Sequence, residues 1–303
     1  MKSVASRWSL ISCFILAGLG YSQKEVQNKN LKPPAEALAA GYVRLVFDEE
    51  FEDGSGIDLK NTGGTGFHFY LTSPWGNQAD PAFVRVHDGV LELGRPLNAP
   101  DKKNHAALFS AISNPAKGEA QKYRGFAIGR GAYFEARIRF DPDFLKKNPG
   151  AKGFPNFYSN PVEHHFDPPA MPYQYLEMDH MEYFPGWYRN ATNYFNALIK
   201  WDAFVNSNGT QYKTDFVDSN YEHRQVQTPP GSDMSAFNVY GALWIPGTNG
   251  RADSFFNGQC RRSLSQRDYP KLAVGDSLHF MVILGCDQWP IEVDWVRVWA
   301  SGE

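Results

Sequence analysis

From residue 42 onward the chain runs in short apolar stretches separated by turn residues, and apolar and polar positions alternate within the stretches. A period of two puts successive side chains on opposite faces of a strand; the 3.6-residue period of a helix is scarce here. Residues 43–47, 83–87, 90–93, 131–140, 195–201, 238–245, 254–256, 278–284 and 293–299 read as strands. Asp88-Gly89, between the second and third of these, is a hairpin signal, because both residue types tolerate the positive φ of a type I′ turn. Residues 141–172, rich in Pro, Gly, Asn and His, read as a long loop. Many short strands without helices predict an all-β fold, a sandwich or jelly roll. It forms one domain over residues 41–303, with no repeat and no internal boundary. Residues 23–40, polar with Pro and Ala, read as an N-terminal arm or linker.

One stretch departs from this pattern. Glu177-Met178-Asp179-His180-Met181-Glu182 puts three carboxylates into six residues, and its flanks are aromatic or apolar. Such flanks favour a buried strand, where an unpaired acid is costly. In a regular strand Glu177 and Asp179 share a face and Glu182 takes the other. One extra residue at His180 or Met181, a β-bulge, returns Glu182 to the shared face. The two Glu Cα atoms then lie roughly 13 Å apart at about 3.3 Å per residue, and their side chains can converge across a concave sheet. Two carboxylates flanking one bond is what glycoside hydrolysis needs; about 5–5.5 Å between carboxyls gives retention and about 6.5–9.5 Å inversion. The rival reading is a cation held by Asp179, His180 and Glu182, weakened because adjacent residues of a strand point apart.

The 303 residues carry a net charge of -3 with no basic stripe, which argues against nucleic acid as a partner. The 8 Trp, 15 Tyr and 22 Phe exceed ordinary core needs and supply flat rings for sugar faces, although any single ring is more often core packing. Residues 1–22 read as a signal peptide. Lys2 and Arg7 precede an apolar stretch over 10–19, and Gly20-Tyr21-Ser22 offers a cleavage site. That stretch is too short to span a bilayer, so an exported chain without a transmembrane segment is expected, secreted or periplasmic. Lipid anchoring at Cys13 is the lesser alternative, because the apolar run continues past it. Cys260 and Cys286 then remain, either as a disulfide or as two thiols.

Taken in order, these residues resemble glycoside hydrolase family 16, retaining β-glucanases and β-galactanases on a concanavalin-like jelly roll of two antiparallel sheets with a concave cleft. Glu177-Met178-Asp179-His180-Met181-Glu182 matches the bulged E-x-D-x-x-E form of its signature. Leu45-Val46-Phe47-Asp48-Glu49-Glu50-Phe51 looks like its first strand, and Gly129-Arg130-Gly131-Ala132-Tyr133-Phe134-Glu135-Ala136-Arg137-Ile138 like its "GrfEaRik" strand. Phe237-Asn238-Val239-Tyr240-Gly241-Ala242-Leu243-Trp244-Ile245-Pro246 and Val293-Asp294-Trp295-Val296-Arg297-Val298-Trp299 look like two later strands. The resemblance spans about residues 42–300. It departs where the family has W-P-x-x-W: here Phe154-Pro155-Asn156-Phe157-Tyr158, followed by an insert over 159–176 with His164 and His165.

The resemblance implies an endo-acting hydrolase of a β-linked polysaccharide, with Glu177 as nucleophile, Glu182 as general acid/base and Asp179 tuning both. A transglycosylase on the same fold, or a lectin-like carbohydrate-binding protein, is the alternative. Trp75, Tyr158, Trp187, Trp201 and Trp289 stand where the family lines its cleft. Catalysis needs no cofactor; a structural calcium is implied at the backbone of Glu50 and Gly89 with Asp294, against the plainer reading of Asp294 as a strand hydrogen-bonder. The expected partner is the polysaccharide alone, met by a monomer.

Overall fold

The computed structural model describes residues 31–71, 80–99, 106–113, 123–165, 174–183, 193–195, 198–206, 209–218 and 225–302. The signal peptide, Cys13, Trp75 and Trp187 lie outside these residues. In chain order the main strands are β1 (Tyr42–Glu49), β2 (Val84–His87), β3 (Val90–Leu93), β4 (Ala132–Arg139), β5 (Asn156–Pro161), β6 (Gln174–Glu182), β7 (Leu198–Asn206), β8 (Gly209–Phe216), β9 (Asn238–Ile245), β10 (Arg251–Phe256), β11 (Gln259–Ser265), β12 (Phe280–Cys286) and β13 (Ile291–Ser301).

They form two antiparallel sheets. One runs β11-β10-β9-β4-β13-β3-β2, with β1 also paired to β13. The other runs β8-β7-β6-β5-β12 and continues through Ala106–Phe109, Phe69–Leu71 and Ile57–Asp58. The alternation seen in the sequence is what holds the sheets together. Phe134, Ala136 and Ile138 of β4 and Val293, Val296 and Val298 of β13 meet Phe157, Leu176, Met178, Met181 and Val282 in one core. Each large apolar side chain buried there contributes about 1.5–3 kcal/mol. Much of the aromatic surplus lies in this core, where Trp244, Trp289, Tyr183, Tyr240 and Phe51 are fully buried. The β2–β3 hairpin turns on Asp88 and Gly89 at φ 52° and 73°, with His87 paired to Val90, as the Asp-Gly signal requires.

Two expectations need correction. Residues 141–172 are not one long loop. They contain a short helix (Phe144–Lys147) and β5, which is paired on both sides, to β6 and to β12. Asn156, Ser159 and Asn160 are weak strand formers, so propensity hid a strand that its two neighbours impose. Pro161 ends it, where a missing N–H costs least. Second, residues 31–40 do not form a loose arm: the helix Ala35–Ala39 docks on the outer face of the first sheet, with Ala37 buried in a cluster containing Tyr42, Tyr133, Leu243, Phe255 and Trp299. The Tyr133 hydroxyl donates to Glu36 Oε1 at 2.8 Å. Of the two readings left open for the cysteines, the disulfide is not formed: Cys260 is exposed and free. No helix among the described residues is long and apolar enough to cross a membrane.

Candidate active site

The acidic hexapeptide lies in β6, an interior strand of the second sheet. Its pairing with β5 matches Met178 with Ser159, Asp179 with Tyr158, Met181 with Phe157 and Glu182 with Asn156. The register slips by one between Tyr158 and Phe157, and His180 is the residue left over. This is the bulge that face counting demanded. Leu176, Met178 and Met181 all enter the core, and Tyr183 beyond the strand joins them. Glu177, Asp179 and Glu182 alternate with those residues and fall together on the opposite face.

The bulged residue is pinned from the core side. His180 is buried, stacked on Phe134 with ring centroids 5.3 Å apart and set edge-on to Phe157 at 4.8 Å. Burial pushes its pKa down to about 3, so the imidazole is neutral. It faces away from the acids, which removes the Asp179–His180–Glu182 cation reading. Among the described residues no group of three metal-ligating side chains occurs.

The acids act on one another. Asp179 is 1% exposed, and neither carboxylate oxygen has a hydrogen-bond partner. Burial raises its pKa well above the ordinary carboxylate value, and Glu182 and Glu177 raise it further. The pKa of Glu182 is also well raised, first by burial and then by the charge of Glu177. The residue keeps some exposure to the cleft side of the sheet. Both Asp179 and Glu182 therefore hold a proton more tightly than an ordinary carboxyl. An acid and a base held apart by environment are what acid-assisted displacement at a sugar carbon requires.

The aromatic expectations divide. Tyr158 lies opposite Asp179 and is half-buried on the acidic side of the sheet. The backbone of Trp201 in β7 pairs with Tyr175, two residues from Glu177. Trp289 is corrected: it has no exposed surface. Its indole stacks on Phe144, meets Tyr183 edge-on and donates from Nε1 to the Asp141 carbonyl, so it offers no face to a sugar. A residue that sequence reasoning passed over is Asn156. It sits opposite Glu182, and its Oδ1 is buried without a donor. Its only sequence signal was its place in the altered W-P-x-x-W segment.

The three calcium candidates converge on one rim of the other sheet. Glu49 pairs with Val296, which puts Glu50 beside Trp295, and Leu91 pairs with Val293, which puts the Asp88-Gly89 turn near Asp294. Asp294 is itself the extra residue of a bulge against β4. Arg137 holds its Oδ2, while Oδ1 makes no hydrogen bond. One carboxylate oxygen with neighbouring carbonyls is a donor set that suits a hard cation.

No protein-family model and no curated protein sequence matches the chain. Solved structures do. An endo-1,3-beta-glucanase from Streptomyces sioyaensis aligns with TM-score 0.53 and 15% identity over 90% of this chain and 99% of its own. The catalytic domain of an endo-1,3-beta-glucanase (laminarinase) from Thermotoga petrophila RKU-1 gives 0.51 and 16% over 86% and 98%. Beta-agarase B from Zobellia galactanivorans gives 0.50 and 12% over 85% and 94%. The fold is the two-sheet jelly roll of these glucanases and this agarase. At these identities the likeness is one of architecture, and it runs through nearly the whole length of each neighbour.

Proposed function

We propose that this chain is an exported, endo-acting, retaining glycoside hydrolase that cleaves a β-linked polysaccharide, a β-glucan or β-galactan, by double displacement. The observation that carries the reading is the bulge at His180. It gathers Glu177, Asp179 and Glu182 on one face, where burial and the neighbouring Glu177 raise the pKa of Glu182. The fold shared with two glucanases and an agarase supports the substrate class.

In this mechanism Glu182 gives its proton to the glycosidic oxygen as that bond to the anomeric carbon breaks. The Glu177 carboxylate attacks the same carbon and forms a glycosyl ester. Loss of the charge on Glu177 lowers the pKa of Glu182, which then takes a proton from water. The water oxygen attacks the anomeric carbon and releases Glu177 as carboxylate. A sugar hydroxyl in place of water would give transglycosylation from the same ester. Neutral Asp179 adds no second negative charge and can donate a hydrogen bond towards its neighbours. Tyr158 and Trp201, with Trp75 and Trp187, are the proposed sugar platforms. Calcium at Glu50, Gly89 and Asp294 would brace the opposite rim and takes no part in the chemistry.

The test is a panel of β-1,3-glucan, mixed-linkage glucan, agar and carrageenan assayed for new reducing ends, with products sized. Wild type should release oligosaccharides from one of them. Glu177→Ala and Glu182→Gln should remain folded and lose that activity; wild-type turnover by either variant would sink the assignment.

A further inference from the structure

A second concave site lies on the other side of the sandwich. Glu92 of β3, Arg139 of β4 and Glu292 of β13 alternate with the core residues Leu91, Ile138 and Val293, so they project from the outer face of the first sheet, away from the acidic hexapeptide. With Phe144, Ser235 and Pro290 they line a cavity of about 370 Å³, which is the size of a small-ligand pocket.

The chemistry of the lining narrows its occupant. Each carboxylate already has a cation: Glu292 pairs with Arg139, Glu92 with Arg85, and Asp141 at the rim with Lys147. The pocket therefore holds no uncompensated charge with which to select an ion, yet every paired carboxylate keeps free lone pairs. Arg139 supplies the complementary group. Its guanidinium lies over the Phe237 ring at 4.5 Å and gives an N–H to Glu292, and with the side chain 40% exposed its outer N–H groups stay open to an acceptor oxygen brought by a ligand. Phe144 adds an apolar wall whose ring is held by stacking on Trp289 at 5.9 Å. Hydroxyls that both donate and accept, carried on a ring with an apolar face, satisfy all of these groups. We propose that this pocket is a second carbohydrate-binding site, which takes one or two residues of a neutral glycan on the back of the enzyme.

The choice of probe and the count of two rest on the hydrolase reading, through the glycan held in its cleft. Oligosaccharides of four to six residues from β-1,3-glucan, mixed-linkage glucan and agar are titrated calorimetrically into the full chain carrying Glu177→Gln. The expected stoichiometry is two per chain, falling to one when Ser235→Trp fills the pocket. Arg139→Gln, which removes the donor while keeping a polar side chain, should weaken the second site at least tenfold. Ser235→Trp in the otherwise native chain should leave kcat/KM on a short soluble substrate within about twofold. Two glycans indifferent to Ser235→Trp, one glycan that Ser235→Trp leaves in place, or no binding would each overturn the inference. Binding sensitive to Ser235→Trp in a chain that cleaves none of the panel would uphold this site while the hydrolase reading falls.

Discussion

Glu135 offers the sharpest quantitative test of the fold. It sits on the outer face of β4, 6% exposed, and accepts a hydrogen bond from Trp299 Nε1 at 2.8 Å. Burial is the largest influence and pushes its pKa from 4.5 up to about 7; the Trp299 bond and Arg297 pull it down, while Glu36 and Asp48 push it up. A folded pKa above the unfolded one means that the folded chain holds the proton more tightly. The stabilisation is complete below pH 4.5 and is lost as pH rises to about 7. At about 1.4 kcal/mol per pH unit, that interval is worth about 3 kcal/mol. Glu135→Gln keeps the acceptor for Trp299 and removes the titration. Urea unfolding of both proteins from pH 4 to pH 8 should therefore show the variant gaining about 3 kcal/mol on wild type across the range. Asp179 and Glu182 lose stability with rising pH in the same sense, but they do so in both proteins and cancel in the difference. Parallel stability curves would refute the argument, because they would mean that Glu135 ionises as freely in the fold as in the open chain.

Three further outcomes follow from the site and the rim. Deleting His180 removes the bulge and should lower hydrolysis by about 10³-fold, the scale of a lost general acid, while His180→Leu keeps the extra residue and should retain most activity; equal losses would assign the effect to the imidazole instead. The pH profile of kcat/KM should fall on its alkaline side as Glu182 loses its raised-pKa proton. With an aryl glycoside whose leaving group needs no acid, Glu182→Gln should abolish that alkaline limb, and a limb that persists would exclude Glu182 as the acid. Chelation by EDTA should lower Tm and calcium restore it, with about 2.7 kcal/mol at a hundredfold excess over Kd, and Asp294→Asn should remove the response; indifference of wild type to both would dismiss the metal.

What was legible in the sequence followed from compact apolar runs between turn residues. Asn238–Ile245 reads off the chain with its observed bounds, because it is an interior strand buried on both faces, with Tyr240 and Trp244 in the main core and Leu243 in the outer cluster. The edge strands β8 and β11 were invisible. An edge strand has weaker demands on burial and carries polar residues such as Gln211, Lys213, Arg261 and Arg262 that blur the period. Strand β5 was hidden by Asn and Ser residues whose pairing is imposed from both sides. Trp289 misled for the opposite reason. Its neighbours Asp287, Gln288 and Pro290 look like a surface loop, and only the packing of Phe140, Phe144 and Tyr183 around it makes it core.

The acidic hexapeptide was readable because its two requirements conflict. Met178 and Met181 are three positions apart and both belong in the core; Glu177 and Glu182 are five apart and both belong outside it. No regular strand meets either condition, since an odd spacing always splits a pair between faces. Keeping the strand regular would bury one acid between the sheets or expose one methionine, at a cost of several kcal/mol for the acid. A single extra residue resolves both pairs at once, provided that its own side chain is acceptable inside. His180, neutral and packed between Phe134 and Phe157, meets that condition. The packing of the core and the meeting of the acids are thus one constraint, and a change that relaxes the bulge must disturb both.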